Sequence, residues 1–462
     1  MQVLISIVSL GVFCLLAEVF NLRKLLVPIT VIGLLAVLGI SLNLWSIDSS
    51  LDTQFSSMIA TNKFSSAFST LFILLTIFLV AMSDDFYKDH PTKFSDFIAI
   101  KLFLLTGAVA MVSFTNLAMF FLGIEVLSIS VYILAASERL NVKSNEAGMK
   151  YFLLGSFASG LVLFGICLVY GATGYFDMGE IYDLSQGVGL PVWYPIGVAL
   201  IIIGMLFKIA AAPFHFWAPD VYEGSPTLTT ATMSTLVKVA AIATLYKLVS
   251  GFSVTIGFKV ENIIVVISIL SMTVGNIMAL RQKNVKRMLA FSGISHAGFM
   301  LMAFLNISTA ANNLLYYTFA YALAGISAFA VIIMATKNKE NENIENFNGL
   351  GKTSPLMAAI LTASLLSMAG IPIFSGFFAK FMLFSDTVKV GYIVVVIAGV
   401  INSIISIGYY FKLVLAMYTK DSDSSEHNKP SGYYLYSIVA ALSIILNIII
   451  GVYPSLVTQL LK

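Results

Sequence analysis

The sequence has few charged residues and few cysteines, and each shortage excludes a class of protein. Charged residues make up 11% of the 462 residues, whereas soluble domains carry about 25%, so a soluble globular protein is excluded. The two cysteines, Cys14 and Cys167, lack the spacing of a metal or iron–sulfur ligand set and are interpreted as packing residues. There is no basic face for nucleic acid. Hydrophobic residues make up 59% of the chain, which indicates an all-α polytopic membrane protein.

Fourteen apolar stretches are long enough to cross a membrane, because a crossing helix needs about 20 apolar residues. The first is interpreted as a retained helix rather than a signal peptide, since no basic region precedes it and Arg23 and Lys24 follow it. We therefore predict one membrane domain over residues 1–462. The predicted spans are 2–20, 25–45, 67–83, 96–114, 117–136, 150–171, 194–213, 228–248, 261–280, 285–305, 311–335, 355–386, 391–417 and 433–457.

The loop charges predict how this domain lies in the membrane. Sixteen lysines and arginines lie in loops after odd-numbered spans, and five lie after even-numbered spans or at the C-terminus. Because cytoplasmic loops carry the excess of basic residues, the odd loops are predicted to be cytoplasmic. Both termini then face the outer side of the membrane.

Two of the spans are interrupted, and the interruptions predict an internal repeat. Span seven is broken at Pro213 and span twelve at Gly370–Pro372, and a lysine lies near each break, Lys208 and Lys380. The breaks are five spans apart, an odd number, so two five-helix units would be inverted relative to each other, as in many transporters. The predicted divisions are helices 1–3 in 1–95, a first repeat in 96–250, a second in 261–417, and helix 14 in 433–457.

Titratable residues at mid-membrane are the candidates for chemistry, since charge in hydrocarbon is costly and usually functional. At 1.5 Å of rise per residue, five side chains on five different spans lie near the membrane centre, which indicates a row along the membrane plane. These are Glu125, Lys208, Lys238, His296 and Lys380, and His215 adds a further candidate beside the first break.

Glu125 is the acid expected to balance a buried lysine. It is the acidic residue at the centre of a span, so a Glu125–Lys208 pair is predicted, and a charge arriving beside that pair would change how Lys208 holds its proton. Several alternatives remain open: static ion pairs, a packing role for His296, His215 as a cap for freed carbonyls, and a Lys380 that reaches the surface. Lys101 is expected to extend to the membrane surface.

Several motifs resemble one family. The segment Ala212–Pro226, which follows Lys208 and reads APFHFWAPDVYEGSP, is similar to the antiporter-like membrane subunits of respiratory complex I. Further similarity lies in Leu122–Ser128, Ser292–Gly298 and Gly370–Lys380, and the resemblance covers about residues 70 to 420. It implies fourteen helices in two inverted five-helix repeats with discontinuous seventh and twelfth helices.

The resemblance also implies an activity. Four of the candidates match charged positions of the family, namely Glu125, Lys208, Lys238 and Lys380, whereas His215 and His296 match family positions with weaker assigned roles. The chain would translocate protons as a subunit of an NADH:quinone oxidoreductase translocase, without a cofactor or metal of its own. NADH, flavin, iron–sulfur clusters and quinone would be bound by other membrane and peripheral subunits, its partners together with paralogous antiporter-like subunits and the lipid bilayer. Two alternatives remain: a cation/proton antiporter subunit of the multi-subunit Na⁺/H⁺ type, and a static membrane scaffold of a related redox complex.

Overall fold

The computed structural model describes residues 1–20, 22–43, 57–87, 94–187, 189–252, 260–337, 339, 341–420 and 434–461. Two predicted span ends, at residues 45 and 433, lie outside these ranges, as do the loop lysines Lys88, Lys93, Lys259 and Lys429.

The described chain is built of helices. A five-residue π-turn, Met233–Val237, joins two of them into one span, and 3₁₀ turns occupy Met302–Leu305 and Ile344–Phe347. The α-helices are α1 Gln2–Val19, α2 Arg23–Asn43, α3 Lys63–Ala81, α4 Ser83–Phe86, α5 Phe94–Ser113, α6 Leu117–Ala135, α7 Val142–Thr173, α8 Met178–Gly187, α9 Trp193–Lys208, α10 Trp217–Gly224, α11 Thr227–Thr232, α12 Lys238–Phe252, α13 Val260–Leu280, α14 Val285–Leu301, α15 Ile307–Thr336, α16 Leu350–Thr353, α17 Pro355–Ala369, α18 Ser375–Lys389, α19 Ile393–Thr419, α20 Tyr434–Val452 and α21 Ser455–Thr458.

Fourteen membrane crossings are confirmed. Twelve spans in the described part of the chain are long and apolar enough to cross a membrane unbroken. The other two are the interrupted ones, α9 with α10 and α17 with α18. Helix α7 has 32 residues instead of the 22 of span 150–171, because it begins as a polar helix before the apolar stretch. The seventh crossing, α9 with α10, also extends beyond its predicted end at residue 213, to Gly224.

The first break follows from local sequence. Helix α9 ends at Lys208, Ala210 adopts a positive φ of 57°, and Pro213 follows a cis peptide bond. Proline has no backbone N–H and cannot continue the helical hydrogen bonding. A carbonyl at the end of a helix inside a membrane needs a partner. The carbonyl of Phe207 accepts from the backbone N–H of Ala210 and from the indole Nε1 of Trp217, both at 3.0 Å.

The second break repeats this arrangement with different residues. Gly370 ends α17 in the left-handed conformation, with φ of 88°, which costs glycine little. Ile373 also has a positive φ, 86°, a strained value for a β-branched residue. The carbonyl of Ala369, the last residue of α17, accepts a hydrogen bond of 2.8 Å from Lys380 Nζ.

The order of elements repeats around the two breaks. Three continuous helices, α5 to α7, precede the broken α9–α10, and one further span, α11–α12, follows it. Helices α13 to α15 likewise precede α17–α18, and α19 follows. This order confirms the predicted fold class. The residue limits of the repeats stay a prediction.

Candidate functional site

Lys208 is the last residue of α9 and is 3% exposed. Its Nζ donates to Ser128 Oγ at 2.6 Å and to Tyr132 OH at 3.3 Å, both on α6, and lies 5.5 Å from the centre of the Tyr132 ring. The C-terminal end of a helix carries partial negative charge. The broken helix therefore stabilises an ammonium group inside the membrane domain.

Glu125 lies one turn before Ser128 on the same helix, α6. Within the described chain no ion pair joins Glu125 directly to Lys208, because Lys208 bonds to the two hydroxyls instead. Glu125 Oε1 is buried without a hydrogen-bond partner. The carboxylate still acts on the ammonium electrostatically. The predicted partners thus influence each other at longer range, and their role as a functional pair stays a prediction.

Lys238 begins α12, directly after the π-turn, and is 2% exposed. Its Nζ is buried without a hydrogen-bond partner. It lies against Gly293 of α14, where an added Cβ would be 2.7 Å from Lys238 Nζ and 3.2 Å from Tyr321 OH. The missing side chain of Gly293 therefore leaves the space that the amine occupies, next to the Tyr321 hydroxyl.

Replacing Gly293 by alanine should displace the Lys238 amine. The clashing atom is the end of a flexible side chain, so it can move, and the assembled complex should keep its thermal stability. On the activity that the resemblance implies, we expect a several-fold lower rate of NADH oxidation coupled to proton pumping in membrane vesicles. Gly171→Ala, where an added Cβ meets nothing within 4 Å, is the matched control. Unchanged pumping in Gly293→Ala would show that the position of this amine is unimportant.

His296 lies on α14 and is 5% exposed. Its Nδ1 lies 2.7 Å from Tyr317 OH and its Nε2 3.2 Å from Tyr410 OH. Tyr410 OH in turn lies 2.5 Å from Ser292 Oγ. Both imidazole nitrogens thus have hydroxyl partners, and a hydroxyl can donate or accept a proton.

Lys380 lies on α18, near His296. It is 6% exposed, bonds to the Ala369 carbonyl, and places its Nζ 4.8 Å from the centre of the Phe299 ring. Lys380 and His296 line one small cavity of about 10 Å³, roughly the room for a single water. Lys238 and Lys380 both act electrostatically on His296, so the three groups form one cluster.

His215 is not part of this cluster. Its ring packs on Phe216, with ring centroids 4.4 Å apart, and its buried Nδ1 has no hydrogen-bond partner. Trp217 donates to the Phe207 carbonyl at the break. The His215 side chain interacts with the backbone of Pro213, so its interpretation as a cap stays a prediction. Its proton-carrying role stays a prediction.

Tyrosines are the site residues that sequence reasoning missed. Tyr132 contacts Lys208, Tyr321 lies beside Lys238, and Tyr317 and Tyr410 bond His296. Each lies inside an apolar span, and a buried tyrosine hydroxyl usually needs a partner, which is the signal that could have found them. Lys101 was also misplaced, because it is 2% exposed and does not reach the surface.

The segment Asp220–Pro226, which is the end of α10 and the turn after it, is joined to the start of α14. Arg287 donates to Asp220 at 2.6 Å and to Glu223 at 3.1 Å. Lys286 donates to the Ser225 carbonyl and to Glu342, both at 2.9 Å. Opposite charges at these distances bring the two halves of the chain together at one membrane surface. In the part of the chain that the structure describes, no three His, Cys, Asp or Glu side chains form a metal-binding group.

Two broken helices with a row of buried titratable groups define the class of antiporter-like, ion-translocating membrane proteins. Residues 115–406 match the family described as NADH:quinone oxidoreductase/Mrp antiporter, TM. The chain is 64% identical to NADH-quinone oxidoreductase subunit N of Flavobacterium johnsoniae over all of both chains, and 60% identical to subunit N of Flavobacterium psychrophilum, again over all of both. The chain belongs to this family.

Solved structures agree with this assignment. A chain of respiratory complex I from Thermus thermophilus with bound aureothin is 28% identical, with a TM-score of 0.82 and coverage of 99% of this chain and 98% of that one. A chain of the Mrp complex from Dietzia sp. DQ12-45-1b is 20% identical with a TM-score of 0.80, over 99% and 95%, and shows the fold alone. The chain is thus an antiporter-like membrane subunit of NADH–quinone oxidoreductase that functions in proton translocation with the other complex I subunits.

Proposed function

We propose that protons move along the row of buried groups, with a separate role for each. Lys208, modulated by Glu125, is the switching group. Lys238 relays the proton to the middle of the subunit, His296 continues the relay, and Lys380 exchanges the proton with the far side. The observation that supports this most directly is His296, held between two tyrosine hydroxyls and influenced by both neighbouring ammonium groups.

Electrostatic coupling would drive the relay. A lysine buried without a full counter-charge holds its proton less firmly, and an approaching charge changes that balance. Glu125 acts on Lys208 without touching it, so a movement of α6 relative to α9 that brought the two groups into contact would strengthen their interaction. Water would fill the gaps between side chains on separate helices, as in the cavity that Lys380 shares with His296.

The setting of this relay extends the proposal. The chain would lie in a bacterial inner membrane with its odd-numbered loops in the cytoplasm and both termini in the periplasm, in line with the loop charges. Electron transfer from NADH to quinone would occur on cofactors in other subunits. The two repeats would be residues 96–250 and 261–417, each containing one broken helix.

Lys208→Ala and Glu125→Ala in the assembled complex test this proposal. Lys208→Ala removes the ammonium from the end of α9 and should lower coupled NADH oxidation about tenfold or more, since proton-transfer groups contribute at least that much. Glu125→Ala should have a smaller effect, because its contact is indirect. Both rates are measured in membrane vesicles by NADH absorbance and a pH-sensitive dye. Wild-type rates in both variants would favour a static scaffold.

A further inference from the structure

A polar cavity of about 360 Å³ opens at the membrane surface where α10 meets α14. Charged side chains line it, among them Glu138, Glu223, Lys286 and Glu342, and Tyr87 and Phe97 form an aromatic wall. This volume holds several waters, since one water occupies roughly 30 Å³ of liquid. On the proposed topology this is the cytoplasmic surface, because the loops after odd-numbered spans meet here.

Lys101 lies behind the aromatic wall. It is about 10 Å into α5 at 1.5 Å per residue and is 2% exposed. Its Nζ donates to Ser83 Oγ at 2.5 Å and lies 4.7 Å from the centre of the Tyr87 ring. Within the described residues no carboxylate forms an ion pair with it, so it differs from Lys286, which pairs with Glu342. Keeping a positive charge on a buried amine that has no carboxylate beside it is costly, so Lys101 is a candidate for function.

Tyr87 lies near both this lysine and the helix that carries Lys238. Its hydroxyl is buried without a hydrogen-bond partner, and Thr229 of α11, nine residues before Lys238 in the same span, is close enough to influence it. Thr229 and the next hydroxyls along the span donate to backbone carbonyls: Thr229 to Leu134, Thr232 to Leu228 and Thr235 to Ala231. Their oxygens can therefore accept hydrogen bonds from water. In sequence, these hydroxyls lie between Thr227, which lines the cavity, and Lys238.

We propose that Lys101 loads protons from the cavity into the relay, with Tyr87 between the cavity and the amine. A hydronium ion in the cavity loses a proton to the neutral amine, so one O–H bond breaks as an N–H bond forms. The ammonium then releases a proton to water beside Thr229, which restores the amine and protonates the path to Lys238. No net charge is left on Lys101. The inference rests on the proposed proton relay and adds a residue to it.

A static role for Lys101 makes a different prediction. If the ammonium only ties Ser83 to α5, a permanent positive charge should replace it. Arginine supplies that charge and remains protonated in proteins, so it can hold Ser83 but cannot release a proton. Methionine of similar length removes the charge and keeps the packing.

The test compares Lys101→Met, Lys101→Arg and Lys247→Met in complex assembled in membranes. Lys247 is the matched control, a partly buried lysine whose Nζ bonds to the Val112 carbonyl at the other end of α5. Both Lys101 variants should lower proton pumping and coupled NADH oxidation roughly threefold or more, and Lys247→Met should match the wild type. Restored pumping in Lys101→Arg, or wild-type pumping in Lys101→Met, would overturn the inference.

Two further variants decide the matter if the Lys101 variants do not assemble. Tyr87→Phe keeps the ring and removes the hydroxyl, and Thr229→Val removes the neighbouring hydroxyl at constant volume. At least one should slow pumping, and wild-type rates in both would reject the inference. Lys208→Ala is measured in the same preparation. If only Lys208→Ala loses pumping, the relay operates without Lys101. Wild-type pumping in all variants contradicts the relay itself.

Discussion

Replacing Gly376 by alanine is expected to prevent accumulation of the assembled complex. Gly376 begins the second half of the broken twelfth crossing, and an added Cβ would lie 1.8 Å from the carbonyl oxygen of Ser367 and 2.7 Å from its carbonyl carbon. The clashing atoms belong to the backbone of α17, so they cannot move without separating α17 from α18. A forced displacement of this kind costs about 3 kcal/mol, a large part of a typical folding free energy.

Complex abundance in native gels and the thermal unfolding temperature of solubilised membranes measure this effect. Gly160→Ala is the matched control, because it lies in a membrane helix and an added Cβ there meets nothing within 4 Å. That variant should be neutral or slightly stabilising, since alanine favours helix by about 1 kcal/mol over glycine. Normal abundance and thermal stability of Gly376→Ala would mean that the two halves of the crossing are less closely packed.

Replacing Lys238 by methionine is expected to abolish most coupled turnover while leaving the protein at least as stable. The Lys238 amine is buried without a hydrogen-bond partner, so its removal leaves no other group unpaired. Exchanging a buried charge for an apolar side chain of similar volume is often neutral or stabilising. The relay loses its central amine, so pumping and coupled NADH oxidation should fall on the order of tenfold or more.

Turnover and thermal stability must be measured on the same preparation of this variant, because the expected changes are of opposite sign. Lys412→Met serves as control, since Lys412 is an exposed lysine whose Nζ donates to the Gln282 carbonyl at 3.0 Å. Its turnover should be unchanged. Wild-type turnover in Lys238→Met would remove Lys238 from the relay. A strongly destabilised variant would show that the amine has structural partners.

The crossings and their breaks could be predicted because they depend on local sequence. A run of apolar residues specifies a crossing wherever it occurs, and Pro213 and Gly370 end helices through their own backbone properties. The lysines at these breaks were found for the same reason, since they lie within a few residues of them. The length of α7 was not, because its polar start is helical for reasons that an apolar pattern does not contain.

Contacts between distant residues could not be predicted. Tyr410 lies 114 positions from His296 in the sequence, and Ser128 lies 80 positions from Lys208. Because such distant hydroxyl partners cannot be found from sequence, opposite charge alone predicts Glu125 as the partner of Lys208. The depth of Lys101 within its own helix predicts that its side chain extends to the membrane surface. Its burial depends on Ser83 and Tyr87, which lie on a separate short segment after α3.

The π-turn at Met233–Val237 adds one residue to an otherwise regular helical span. A π-turn of this kind is equivalent to a single-residue insertion in an α-helix. Each residue of an α-helix turns the chain by about 100°, so the insertion sets the angle between the hydroxyls of α11 and the amine of Lys238. Deleting one residue here would restore regular helix and leave α12 in place. The direction in which Thr229 and Thr232 face would then be rotated away from Lys238 by about one residue's turn.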